Sequence, residues 1–309
     1  MTPLFLILLA IDGTVVNKST GKPAAEVPIV LMRLGDGGMM PVGTVKSGPD
    51  GKFDFKQNID GPLLMQAIYD GVNYNKLLRP GDKPSGLELD IYNTTRKPGD
   101  AKIVQHMMLV EPSEDKMSIN ESVIYRNDSK STYSDPENGT FRFYLPPEAK
   151  ASLQVRVSGP GNMPVRGEAK EAGPANIYKI DFAIKPGESR FDLQYVLPAG
   201  KLKGRILHPV GEKEGPTRLV TPSGVKLSGL GVEDLGAEPQ TQAEVYSLSK
   251  PDYEIEVSGT GSLRALDPDE TAMPEPQAIP PKISERMWWI VGLSLLALSF
   301  GFVSLLKKA

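Results

Sequence analysis

The sequence predicts an all-β protein of two or three tandem Ig-like or transthyretin-like β-sandwich domains, followed by one C-terminal transmembrane helix. Three observations carry this. Short apolar runs recur between clusters of Gly, Pro, Asn and Asp, and several alternate apolar with polar at period two, the pattern of antiparallel sheets with one wet face. The chain holds 31 Gly and 28 Pro, so turns are frequent, and no long helical pattern interrupts them before the C-terminus. Finally, residues 287–306 read MWWIVGLSLLALSFGFVSLL, without one charge. A helix of that length spans about 30 Å, the hydrocarbon thickness of a bilayer.

In chain order, residues 1–10 form an apolar N-terminal segment. It has the apolar core of a truncated secretion signal but no preceding basic residue; the other reading is a buried first strand. Strand-type runs follow at 29–34, 42–46, 52–56, 63–69, 103–110 and 118–125, and again at 140–145, 152–158, 177–184, 190–197, 202–207 and 253–258. In 52–56, Phe53 and Phe55 share one face while Lys52, Asp54 and Lys56 take the other. The two Phe residues are expected in one core with Val15, Val30 and Leu31. In 151–157, Leu153, Val155 and Val157 alternate with Ser152, Gln154 and Arg156. A weak internal repeat lays GPDGKFDF, ending at Phe55, on PENGTFRF, ending at Phe143. Both place a Gly after Asp50 or Asn138 and then two Phe residues two apart, as a hairpin feeding a core would.

The resulting partition is a β-sandwich over 11–85, a second over 86–198, a third small β unit over 199–263, a Pro-rich stalk over 264–286, the span over 287–306 and a basic tail over 307–309. Trp288 and Trp289 at one end of the span, and Lys307 and Lys308 at the other, are the expected membrane-interface residues. The stalk composition makes a semi-extended spacer.

The residues of 11–85 also carry a family resemblance. Gly13, Val15, Gly21, Pro23, Pro28, Val30, Asp50, Gly51, Phe53 and Phe55 follow, in order, the pattern of the carboxypeptidase regulatory-like domain. The segment resembles that family, which implies a small seven-stranded transthyretin-like sandwich. The family carries none of the zinc ligands of the peptidase it is named after, so the resemblance implies no peptidase activity. Residues 117–127 and 184–198 are similar to ectodomains of bacterial membrane-anchored multi-domain β proteins.

Chemistry is bounded mainly by what the chain lacks. There is no Cys, and only two His, His106 and His208, neither in a metal-binding spacing. His106-Met107-Met108 offers copper-type donors, but adjacent strand residues point to opposite faces. Glu111, Glu114, Asp115 and Glu121 read as a solvated acidic loop rather than a calcium site. Asn17, Asn93, Asn120, Asn127 and Asn138 each open an N-x-S/T triplet, read here as turn chemistry. With net charge −3 and no basic block, nucleic acid is not an expected partner. No catalytic residue, cofactor or metal is expected.

These features point to a non-enzymatic, single-pass membrane ectodomain that binds a partner protein or a surface glycan, or scaffolds an envelope assembly. Its ectodomain would be extracytoplasmic, at the periplasm or cell surface, and its C-terminus cytoplasmic. The alternatives are an accessory subunit of a membrane enzyme or transport complex, a hydrolase with an unrecognised carboxylate site, and, for topology, a tail-anchored protein with cytosolic domains. Asn73, Tyr74 and Asn75 are expected to form an exposed partner-binding loop, with Tyr74 as its amphipathic contact.

Overall fold

Alternation at period two becomes two layered β units in the computed structural model, which describes residues 11–35, 38–56, 61–161, 164–208 and 217–263. Residues 1–10, 264–286, 287–306 and 307–309, including Trp288, Trp289, Lys307 and Lys308, lie outside the described residues. No helix among the described residues is long and apolar enough to cross a membrane.

The first unit contains β1 (Ile11–Asn17), β2 (Lys22–Pro23), β3 (Pro28–Gly35), β4 (Gly38–Lys46), β5 (Lys52–Phe55), β6 (Leu63–Tyr69), β7 (Val72–Leu78) and β8 (Leu87–Ile91). β1 pairs antiparallel with β2 and β5 and parallel with β8; the facing sheet runs β4-β3-β6-β7. Phe53 and Phe55 are 4% and 2% exposed and meet edge to face at 6.1 Å, packed with Val15 and Leu31. Val30 does not join them. Its neighbours Ile29 and Leu31 point inward, so the pleat turns Val30 to the outer face, where it is half-buried. β8 lies past residue 85, yet Leu89 and Ile91 belong to this core. The expected boundary at 85 would therefore cut off a strand of the first sandwich. Gly13 makes the parallel pair feasible: a Cβ there would lie 2.2 Å from the Leu87 carbonyl oxygen.

The second unit contains β9 (Thr94–Thr95), β10 (Ala101–Pro112), β11 (Lys116–Asn127), β12 (Thr132–Tyr133), β13 (Phe141–Tyr144), β14 (Gln154–Ser158), β15 (Val165–Arg166) and β16 (Ala169–Glu171). It continues through β17 (Ile177–Ile180), β18 (Gly187–Pro198), β19 (Lys201–Arg205), β20 (Thr217–Thr221), β21 (Lys226–Gly229), β22 (Val232–Ala237), β23 (Glu244–Leu248) and β24 (Asp252–Ser258). One long sheet runs β15-β14-β18-β11-β10-β20-β23-β22, with two three-stranded sheets, β13-β17-β16 and β19-β24-β21, and the short parallel pair β12-β9. A single apolar core includes residues from the long sheet and both three-stranded sheets, from Ala101 to Val257. Residues 199–263 thus share a core with 86–198. β20 is the reason: it enters the long sheet parallel to β10, pairing Met108 with Leu219.

The repeat is visible in both units. Gly51 and Gly139 each have φ 76°, and each opens a strand whose two Phe side chains are buried. At both, a Cβ would lie 2.8 Å from a neighbouring side chain. Two N-x-S triplets also have a structural role. Asn17 Oδ1 accepts from Ser19 N, and Asn127 Oδ1 accepts from Ser129 N, so each side chain closes an Asx turn at a strand end.

Candidate functional site

The expected contact loop is not a loop. Asp70 and Gly71, both at positive φ, make the tight turn between β6 and β7, and Asn73, Tyr74 and Asn75 lie in β7. The strand alternates, so Tyr74 points inward and is 3% exposed. Its hydroxyl donates to the Tyr92 carbonyl and meets Thr132 Oγ1, both at 2.9 Å. Lys185 Nζ lies 5.2 Å from the ring centre and donates to the Asn73 carbonyl. Burial lowers the Lys185 pKa to about 8, and burial raises Tyr74 to about 12. Tyr74 therefore fastens the first sandwich to the second and offers no outward surface. Asn75 faces outward but accepts from Gln66 Nε2 at 3.0 Å.

Glu121 is not part of a solvated acidic loop either. It lies between the sheets of the second unit, with Oε1 2.8 Å from His106 Nε2. Thr217 Oγ1 is 3.1 Å from His106 Nδ1, and the Tyr195 hydroxyl donates to Glu121 Oε2 at 3.5 Å. The His208 ring is 5.0 Å from that of His106, and neither of its nitrogens has a hydrogen-bond partner among the described residues. Burial, with the nearby His106, lowers His208 to about 3. His106 and Met108 face this core while Met107 faces out, as the strand period requires. Among the described residues, no group of three His, Asp or Glu is arranged to hold a metal ion.

A broad cleft lies elsewhere. At the flank of the second unit, between β14–β15 and β16–β17, a cleft of about 930 Å³ has an apolar floor of Leu145, Leu153, Val155 and Tyr178. Arg156, Arg166, Gln154, Lys150 and Glu168 reach its rim. Gly167 shapes it: a Cβ there would lie 2.7 Å from Val155 Cγ1, so only Gly lets this segment lie against β14. Gln154 and Arg156 also line a second groove of about 300 Å³ on the outer face of the long sheet, with Asn120, Asp192, Gln194 and Met107. The two hollows thus share side chains.

Strand register explains which groups converge. Arg166 is opposite Arg156, Arg156 opposite Asp192, and Asp192 opposite Ser122. One step along, Gln154, Gln194 and Asn120 are opposite one another on β14, β18 and β11. Directly opposed residues share a face, with strands about 4.8 Å apart, so guanidinium and amide groups form two adjacent rows. Asp192 is engaged by Arg190 at 2.7 Å, and Lys150 by Glu171 at 2.8 Å, whose hydrogen bond holds the lysine above its ordinary range. Arg156 and Arg166 have no carboxylate within ion-pairing distance among the described residues.

No family model matches the chain, and no curated protein matches it. Solved structures give distant likenesses. One is a two-domain M1 zinc metallopeptidase variant bound to L-tryptophan, at TM-score 0.27 and 13% identity, covering 52% of this chain and 43% of that one. Another is an M1 zinc metallopeptidase from Deinococcus radiodurans, at TM-score 0.26 and 13% identity, covering 52% and 42%. The matched part is less than half the length of those proteins, and likeness at this level carries no argument about fold or chemistry.

In the sequence, Gln154 and Arg156 lie on the wet face of a strand with no further mark of function. Arg166, Asp192 and Gln194 carried no local signal. Asp192 and Gln194 meet Arg156 and Gln154 only through register between strands far apart in sequence.

Proposed function

We propose that this protein is a non-enzymatic, membrane-anchored ectodomain whose second β unit binds a surface glycan. The observation that carries the reading is the joined cleft and groove, whose lining combines guanidinium and amide groups with Lys150, Glu168 and Asp192 beside an apolar floor. Guanidinium groups donate, and amides donate and accept, hydrogen bonds in fixed planes, but both are poor proton-transfer groups near neutral pH. A concave surface with a few convergent polar groups is where a ligand binds most readily. The apolar stretch 287–306, with Trp288, Trp289, Lys307 and Lys308 at its ends, supports a single membrane span. The carboxypeptidase regulatory-like resemblance of the first unit supports a transthyretin-like module that positions the binding unit.

A second reading, binding of a partner protein, is favoured by the outer face of the β4-β3-β6-β7 sheet. Met32, Leu64 and Leu77 form a cross-strand row there, with Ile68 and Met39 exposed nearby. An apolar patch of this kind marks contact surfaces. Full-length protein applied to an array of envelope glycans tests the primary reading. Binding weakened about fivefold by the double substitution Gln154→Ala, Gln194→Ala, with an unchanged melting temperature, supports it. Failure to bind any glycan, with stoichiometric recovery of a polytopic membrane protein after mild detergent extraction, favours the accessory-subunit alternative. Protease added to intact cells or spheroplasts should digest the β units if they are exported.

A further inference from the structure

The two unpaired arginines define the ligand further. We infer that the cleft takes an acidic oligosaccharide, its carboxylate or sulfate held between Arg156 and Arg166 and its hydroxyls held by Gln154, Gln194 and Asn120. This rests on the glycan-binding reading above and adds the charge of the sugar.

The argument begins with the register. Arg156 and Arg166 are directly opposed on neighbouring strands, an arrangement that repels when nothing lies between. Three other cations nearby have carboxylate partners. Arg190 has Asp192, Lys150 has Glu171, and Lys170 has Glu168. Arg156 and Arg166, without such an ion pair among the described residues, lie at the rim of the cleft, and the carboxylate opposite Arg156, Asp192, is already engaged by Arg190. Guanidinium groups bind carboxylate and sulfate through paired, charge-assisted hydrogen bonds, so an anion between the two replaces repulsion with attraction on both sides.

The rest of the ligand follows from the neighbouring row. Gln154, Gln194 and Asn120 stand on three consecutive strands, and their amides bond to no other side chain among the described residues. Each amide offers a donor and an acceptor, which suits a chain of hydroxyls that can do both. Gln154 and Arg156 line both hollows, so a ligand anchored at the arginines can continue along the amides without leaving the surface. A compact inorganic anion would use only the first row. A neutral glycan would use only the second. An acidic oligosaccharide uses both.

The test is calorimetric titration of the full-length protein with trigalacturonate, with a chondroitin sulfate hexasaccharide, with neutral galactotriose and with sodium sulfate. At least one acidic saccharide should bind, at least tenfold tighter than galactotriose, with an affinity that falls as salt rises. Arg156→Ala and Arg166→Ala should each weaken it about tenfold or more. Gln154→Ala with Gln194→Ala should weaken it about fivefold, and none of these changes should move the melting temperature. Equal binding of galactotriose, indifferent to both arginine substitutions, overturns the charge assignment while leaving glycan binding intact. Sulfate binding as tightly as the saccharides reduces the feature to a simple anion site and overturns the sugar component. Binding of neither acidic saccharide overturns the inference outright.

Discussion

Tyr74 gives the clearest single-residue test of how the two units are joined. Removing only its hydroxyl, in Tyr74→Phe, leaves fully buried Thr132 without that partner, at a cost of about 1–3 kcal/mol. Tyr74→Ala also empties core volume and should cost about 3–5 kcal/mol. Both variants should melt at lower temperature, Ala well below Phe; unchanged melting in both would remove the residue from the junction. His208 supplies a pH test. Its folded-state pKa of about 3 lies below the ordinary histidine value of 6.5, so between those pH values the unfolded chain binds a proton that the folded chain refuses. Stability from this group is therefore complete above about pH 6.5 and is lost as pH falls toward 3, by about 3–5 kcal/mol. His208→Phe keeps a ring beside Phe141 and cannot titrate. The drop in melting temperature between pH 7.5 and 4.5 should be clearly smaller in this variant than in the parent; an equal drop would assign the acid sensitivity to other groups.

At the scale of elements, the parallel pair of β1 and β8 depends on one missing side chain. Gly13→Ala drives a Cβ against the backbone of Leu87, which cannot yield as a side chain would. The cost should reach or exceed the roughly 1–3 kcal/mol of ordinary overpacking. Gly21→Ala is the control: it meets nothing within 4 Å but has φ 71°, so only backbone strain of about 1 kcal/mol applies. Chemical denaturation should rank Gly13→Ala well below Gly21→Ala. On β5, Phe53→Ala should cost about 3–5 kcal/mol, whereas Lys52→Ala, on the wet face, should stay within about 0.5 kcal/mol. Similar losses at both positions would contradict the assigned face.

For the whole molecule, the shared core of the second unit makes residues 199–263 indispensable. Leu202, Leu219, Val225 and Ile255 are all 0% exposed within it. Each such side chain contributes about 1.5–3 kcal/mol by burial, and a typical domain has a net stability of only about 5–15 kcal/mol. A fragment ending at residue 198 should therefore fail to give a cooperative melt for its second unit, while one ending at 263 should melt cooperatively. The first unit sets a parallel comparison. A fragment spanning 11–93 retains β8 and should fold, whereas one spanning 11–85 loses Leu89 and Ile91 and should be markedly less stable. Circular dichroism melts of the four fragments decide both points.

The sequence by itself determined the local layer of this protein. Alternation placed Phe53, Phe55, Val155 and Val157 in cores because the strand pleat has a fixed period of two, and Asp50-Gly51 and Asn138-Gly139 marked turns because positive φ favours Gly. The tertiary structure alone decided which strands lie side by side. β8 returns to β1, β20 joins β10, and Asp192 meets Arg156 through pairings that no local pattern encodes. The same limit hid the role of Tyr74: a tyrosine between two asparagines reads as a surface contact until Thr132, 58 positions away, is brought to its hydroxyl. Side-chain period is a property of one strand, whereas burial and convergence are properties of its neighbours, and those are fixed by long-range packing.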